Sequence, residues 1–136
     1  MPNPTIVLDT NIVLDVFIFN DLLAEPIRNA LAQQEIDWLA TLPMRDELAR
    51  VLTYPNIAAR LTFYQLVEVD VLAKFDRYAR MVDVAPKASV TCSDADDQKF
   101  IDLAVQHRAL LLSKDKAVLS MRKRLLAQGV SAQAAL

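Results

Sequence analysis

Short apolar runs in this chain stop at acids. Thr5 to Leu8 is partly β-branched and ends at Asp9 with the polar pair Thr10 and Asn11, and Ala109 to Ser113 is a second apolar run that leads to Asp115. Runs of four or five residues are too short for a core helix, and without polar alternation they read as strands buried on both faces, the mark of a parallel sheet. Ile36 to Thr41 is a third such run. The stretches between them have helical spacing. Asp21 to Gln34 has Pro26 near its beginning and a stripe of Leu22, Leu23, Ile27, Ala30 and Leu31. Pro43 suits the first turn of a helix through Tyr54 that Pro55 stops, with Met44, Leu48, Val51 and Leu52 on one face. Residues 57–61 and 67–82 continue as a helical pair, and Val82 to Ala85 reads as a short strand before Pro86. Ser93 or Asp94 caps a helix to about Arg108, and Lys116 to Gln128 is helical again until Gly129. Residues 130–136 fit a last short strand or a frayed end. The alternation predicts an α/β fold around a mainly parallel sheet, and 136 residues predict one domain over 1–136.

Composition removes several classes of function. The single glycine, Gly129, argues against phosphate-cradling loops and dinucleotide fingerprints, which need several. One cysteine, Cys92, excludes an intrachain disulfide and an all-cysteine zinc site, and reads as inert. His107 is the only histidine and reads as a helix-end residue rather than a catalytic one. A net charge of −2 argues against a general nucleic-acid coat. From Arg108 onward, however, Arg108, Lys114, Lys116, Arg122, Lys123 and Arg124 face the single acid Asp115, either as a solvated helix face or as a phosphate-steering one. The aromatics Phe17, Phe19, Trp38, Phe63, Tyr64, Phe75 and Tyr78 fit core or interface packing better than base stacking. The 54 % hydrophobic content predicts apolar surface for a second subunit or partner, hence a homodimer or higher oligomer. No basic leader with a long apolar stretch is expected and no membrane span, so the expected location is cytoplasmic.

In a parallel sheet, right-handed crossovers put helix starts beside the carboxyl ends of the preceding strands, the edge where α/β sheets bind ligands. Asp9 and Asp115 follow strands, while Glu47 and Asp97 lie in the early turns of helices, so all four are expected on one rim. Two carboxylates 4 Å apart repel by roughly 4 kcal/mol at an effective dielectric of 20, and a divalent cation relieves that. Hard oxygen donors without Cys or His suit Mg2+ or Mn2+ better than zinc.

Each acid also has a plainer role open to it. Asp9 can simply end a strand, and one or more of Asp94, Asp96 and Asp97 can be a cap or a first-turn acid. Helical projection sets Glu47 beside the apolar stripe and Asp46 in solvent, and Glu47 can instead pair with Arg50 at i+3. Asn11 and Ser113 are neutral groups able to hold a carboxylate or a ligand water.

Taken together, IVLDTN, the acid in RDELARVL, DADDQKFIDLA and LLLSKD resemble the PIN-domain family of metal-dependent nucleases, in particular its bacterial VapC-like group, the toxin components of type II toxin–antitoxin modules. The resemblance covers nearly the whole chain, with four motifs in order. It implies Asp9, Glu47, Asp97 and Asp115 as the catalytic, metal-binding set, Asn11 and Ser113 in support, and less certain places for Asp94 and Asp96. It also implies a three-layer α/β/α sandwich, an RNA substrate, frequent dimers and a neighbouring antitoxin protein. The chain departs from the family's pattern where glycines are common: it has Lys114 before the last acid and Arg108 in the turn after the helix.

The leading functional expectation is a magnesium- or manganese-dependent endoribonuclease. Aspartyl-phosphate transfer also begins with an acid after a first strand, but the second aspartate usual two residues later is Asn11 here. A catalytically silent interaction module on the same fold is the third reading, and it predicts no metal-dependent gain in melting temperature.

Overall fold

The computed structural model describes residues 3–136; the first two residues of the span expected as one domain lie outside the described ones. Its strands are β1 (Thr5–Leu8), β2 (Asp37–Ala40), β3 (Ala79–Met81), β4 (Leu110–Leu112) and β5 (Ala132–Gln133). They form one sheet in the order β3-β2-β1-β4-β5, and every neighbouring pair is parallel. Ile6, Val7, Leu39, Leu111 and Leu112 are at most 1 % exposed, as expected for strands covered on both faces.

The connections explain where a ligand would go. From β1 the chain passes through α1 (Thr10–Leu14), a π-helical turn at Asp15–Phe19 and α2 (Glu25–Ala32) to β2. From β2 it passes through α3 (Leu42–Val51), α4 (Pro55–Phe63) and α5 (Glu68–Tyr78) to β3. It then returns through α6 (Gln98–His107) to β4, and through α7 (Lys116–Leu119) and α8 (Arg122–Ala127) to β5. Steps β1 to β2 to β3 run one way across the sheet, and the steps to β4 and β5 run the other. With right-handed crossovers, α1–α5 therefore cover one face and α6–α8 the other, giving three layers. The direction reverses between β1 and β4. At such a switch point the loops leaving adjacent strands diverge to opposite faces and open a crevice at the strands' carboxyl ends.

Trp38 on β2 anchors the first layer, with its ring 5.0 Å from Phe75 in an edge-on contact and 5.9 Å from Phe17. On the other face, Phe100, Ile101, Leu103 and Ala104 of α6 are buried. The aromatics divide: Trp38 and Phe75 are core, whereas Phe63 on α4 is 75 % exposed.

Three expected elements differ. The helix over 67–82 ends at Tyr78, and the strand expected at 82–85 lies at 79–81, with the ladder continued by Val82 N–H to Ala40 O at 2.9 Å. The helix expected over 116–128 is two, with a break at Ser120 and Met121 across which Val118, Met121 and Leu125 still bury one stripe. Residues 132–133 form the short last strand. Arg108, which ends α6, has φ +50, the left-handed cap that glycine fills most easily, so here a long side chain bears that conformation.

Candidate metal centre

Asp9 leaves β1 at the switch point, where its own N–H donates to Leu112 O at 3.0 Å and ties the ends of β1 and β4 together. Oδ1 of Asp9 accepts the Asn11 N–H at 3.0 Å and caps α1, and Oδ2 accepts the Ser113 hydroxyl at 2.6 Å. Ser113 is fully buried, and its Oγ also accepts the Asp115 N–H at 3.0 Å. One hydroxyl thus fixes two acids that lie far apart in sequence. Asp115 in turn caps α7, accepting the Ala117 N–H at Oδ1 at 2.8 Å.

The third acid-bearing segment is the 3-10 turn Ala95–Asp97 that leads into α6. Asp94 caps it by accepting the Asp96 N–H at 3.0 Å. Asp97 is 8 % exposed, and its Oδ2 has no hydrogen-bond partner. One carboxylate oxygen from each of Asp94, Asp97 and Asp115 lies within 4.8 Å of the other two. Capping and clustering are therefore compatible, because Asp94 and Asp115 each cap with only one oxygen; Asp9, with both oxygens engaged, stands outside this group of three.

The electrostatics follow from this crowding. Burial pushes the Asp97 carboxyl up to about 7, reinforced by the charges of Asp9, Asp115 and Asp94. Asp9 is also raised, chiefly by burial, with the bonds from Ser113 and Asn11 working against it and the charges of Asp115 and Glu47 adding to it.

Glu47, in the second turn of α3, is on the same rim but faces other partners. Its Oε2 accepts the Thr10 hydroxyl, and its Oε1 lies 2.9 Å from Lys99 Nζ. The alternative partner Arg50 is exposed, as is Asp46. Asp96 is exposed and contributes its main-chain carbonyl, which accepts from Lys99 Nζ. Asn11 holds Asp9 through its backbone N–H while its side chain faces solvent.

Sequence reasoning passed over Lys99 and Thr10. The available signal was a lone lysine in the DADDQK run, three residues after Asp96 and so on the same side of the chain as the acids. Lys114, at the position where the resemblance expects glycine, pairs with the buried carboxylate of Asp15. Lys116, Arg122, Lys123 and Arg124 are exposed and have no ion-pair partner among the described residues. His107 closes α6 as expected, and burial raises the Cys92 thiol, which suits an unreactive group.

The donor set fits a hard divalent cation. It is all oxygen, it has no soft or imidazole ligand, and it holds one buried carboxylate oxygen that nothing in the protein satisfies.

No curated protein matches the chain in sequence. Among solved structures it is similar to a chain in the crystal structure of VapBC2 from Rickettsia felis bound to a DNA fragment from their promoter. The TM-score is 0.63 at 12 % identity, covering 94 % of this chain and 98 % of that one, a likeness of fold. The model of the PIN domain matches residues 5–117, from β1 through the start of α7 and so across every acid of the rim, and the chain belongs to the PIN domain family.

Proposed function

We propose that this chain is a metal-dependent endoribonuclease, working as one domain over residues 1–136, and that it is the toxin of a toxin–antitoxin pair. The observation that carries the nuclease reading is the unsatisfied Asp97 Oδ2, buried beside Asp94 and Asp115. A buried carboxylate oxygen without a protein partner is uncommon, and among three crowded acids a cation is the group that best meets it.

In this reading Asp97 and Asp115, with Asp94 at the exposed mouth, hold Mg2+ or Mn2+; Asp9, whose two oxygens already accept from Asn11 and Ser113, adds its charge beside them, and Glu47 completes the acidic rim. A bound ion of this kind polarises a phosphodiester and lowers the pKa of a water molecule, making it a nucleophile near neutral pH. Ser113 ties the Asp9 carboxylate to the main chain of Asp115, whose own carboxylate is held by the Ala117 N–H, so the two acids stay in register. Lys116 follows Asp115 directly, and with Arg122, Lys123 and Arg124 it offers unpaired cations to an RNA backbone.

The partner reading has separate support. Phe63, Val67 and Val69 are 75, 60 and 72 % exposed. A cavity of about 390 Å³ lies between the π-helical turn, α2 and α5, lined by Phe17, Tyr64 and Leu66 with Arg28 and Lys74 at its wall. Apolar surface of this extent fits an antitoxin or a second copy of the chain. The likeness to VapBC2 favours the antitoxin. No helix among the described residues is long and apolar enough to cross a membrane.

The test is cleavage of a labelled mixed RNA pool with Mg2+, with Mn2+ and with EDTA, with Asp97→Asn purified in parallel. Metal-dependent cutting that Asp97→Asn lacks is the expected result. Cutting that persists in the variant, or in EDTA, overturns the reading. The absence of both cutting and metal binding would favour the silent interaction module.

A further inference from the structure

We infer that Lys99 is the fixed counter-ion of this rim, occupying the place of a second metal ion, so that the site takes one divalent cation and Glu47 anchors the lysine instead of ligating metal. The inference rests on the metal-dependent reading above. It starts from the contrast between two carboxylates on the same rim. Asp97 has a buried oxygen with no partner, whereas both oxygens of Glu47 are engaged, Oε2 by the Thr10 hydroxyl and Oε1 by Lys99 Nζ at 2.9 Å.

The Lys99–Glu47 pair is held on every side. The two side chains are only 23 % and 13 % exposed. Lys99 Nζ also donates to the Asp96 carbonyl and lies 5.0 Å from the centre of the Phe100 ring, so the ammonium is fixed by a charge, a dipole and a ring face. Thr10 is the neighbour of Asp9, so the bond from its hydroxyl holds Glu47 beside the chain at the start of the rim. Lys99 therefore answers Glu47, and leaves the Asp94, Asp97 and Asp115 part of the acid ring unanswered. A second divalent ion at Glu47 would have to break a largely buried ion pair and then sit beside the displaced ammonium, with repulsion replacing attraction. Lys99 is a positioning residue in this account, because it acts by holding Glu47 and by setting the number of ions.

The experiment is calorimetric titration of the metal-free full chain with Mn2+, with electron paramagnetic resonance of the loaded protein as a second readout of ion number. Wild type is expected to bind one ion and to give the spectrum of an isolated Mn2+. Lys99→Met, which leaves the Glu47 charge unanswered, is expected to bind two, and the added ion is expected to vanish in the Lys99→Met, Glu47→Gln double variant. Lys99→Arg is expected to bind one. Glu47→Gln provides a check that does not need the lysine variants to fold. It should keep Mn2+ affinity within about threefold of wild type, whereas loss of a true ligand exceeds the roughly 10–100-fold typical of groups that only support one. Two ions in wild type, one ion in Lys99→Met, or a tenfold or larger loss in Glu47→Gln would overturn the inference. Wild type that binds no Mn2+ would overturn the metal-dependent reading beneath it.

Discussion

The β2–β3 flank and the switch-point rim use aspartate in opposite ways. On the flank, both oxygens of Asp76 accept from Arg45, at 2.7 and 2.9 Å, and both oxygens of Asp37 accept from Arg80, at 3.0 and 2.8 Å. The arginines hold both carboxyls below their usual range. On the rim, Asp9 and Asp97 are raised, first by burial and then by neighbouring acids, Asp115 and Glu47 for Asp9 and Asp9, Asp115 and Asp94 for Asp97. Arrangements that serve only to hold elements together look like the flank, where each acid is answered within the protein. The rim leaves charge unanswered at the one place the topology opens, and this marks it as a place for a ligand.

Asp97→Asn should break this contrast most sharply, with opposite effects on function and on stability. Metal-dependent cleavage is expected to fall by more than the roughly 10–100-fold typical of losing a supporting group. The metal-free variant, relieved of a buried charge, is expected to melt higher than wild type near pH 8. The sign follows from linkage: the folded pKa of Asp97, about 7, is above its ordinary 3.8. Its contribution is therefore fully present below about 3.8 and is lost as pH rises through about 7. Asp37 and Asp76 are shifted the other way, and their contributions are lost only as pH falls below the ordinary carboxylate range. Melting curves of metal-free protein at pH 5 and pH 8 check this. A drop between them in wild type that persists unchanged in Asp97→Asn would assign the charge strain elsewhere.

Adding the ion should erase the same contrast. Mg2+ or Mn2+ at a hundredfold its dissociation constant is expected to stabilise the fold by about 2.7 kcal/mol, and EDTA should reverse the gain. The pH 5 to pH 8 drop should shrink in parallel, since the cation answers the charge that Asp97 carries. A thermal shift without any metal response would place the rim with the flank, as a structural feature only.

Ser113→Ala sharpens the comparison at one atom. Ser113 Oγ donates to Asp9 and accepts from the Asp115 N–H, so the variant leaves two groups unpaired in a buried place. The expected cost is about 1–3 kcal/mol of stability. Metal affinity should fall roughly 10–100-fold, because the Asp9 carboxylate and the Asp115 main chain lose their common support. Titration calorimetry and a denaturant melt measure the two effects separately. Unchanged affinity would mean that the backbone alone places Asp9 and Asp115.

Much of this was legible from local pattern. Thr5–Leu8 is a strand because three apolar residues after a β-branched threonine are too short a run for a helix, and the acids that follow strands or cap helices fall on one rim by topology alone. The misplacement of β3 has a physical cause: Tyr78, Ala79 and Val82 pack against the core while Arg80 and Met81 are exposed, a pattern too short to separate a helical from an extended period. The break within 116–128 was hidden because its buried stripe runs unbroken through Met121. What the pattern could not show was pairing across distance. Glu47 meets Thr10 across 37 residues and Lys99 across 52, so helical projection could turn Glu47 towards the rim without saying what it would meet there.

The smallest expected effect tests the flank itself. Arg45 reaches from α3 to Asp76 on α5, with side chains 31 % and 50 % exposed, so water and salt already screen both charges. Arg45→Ala should cost about 0.5 kcal/mol by denaturant melt, less at high salt, and should leave metal affinity unchanged, because Arg45 and Asp76 pair with each other and with no acid of the rim. The two-pronged geometry places this pair among the better exposed ones, so an effect near 1 kcal/mol would still fit. A loss beyond about 2 kcal/mol, or a change in Mn2+ affinity, would show that flank and rim are coupled through α3, whose second turn also carries Glu47. The contrast between answered and unanswered charge would then be a property of one connected network instead of two regions.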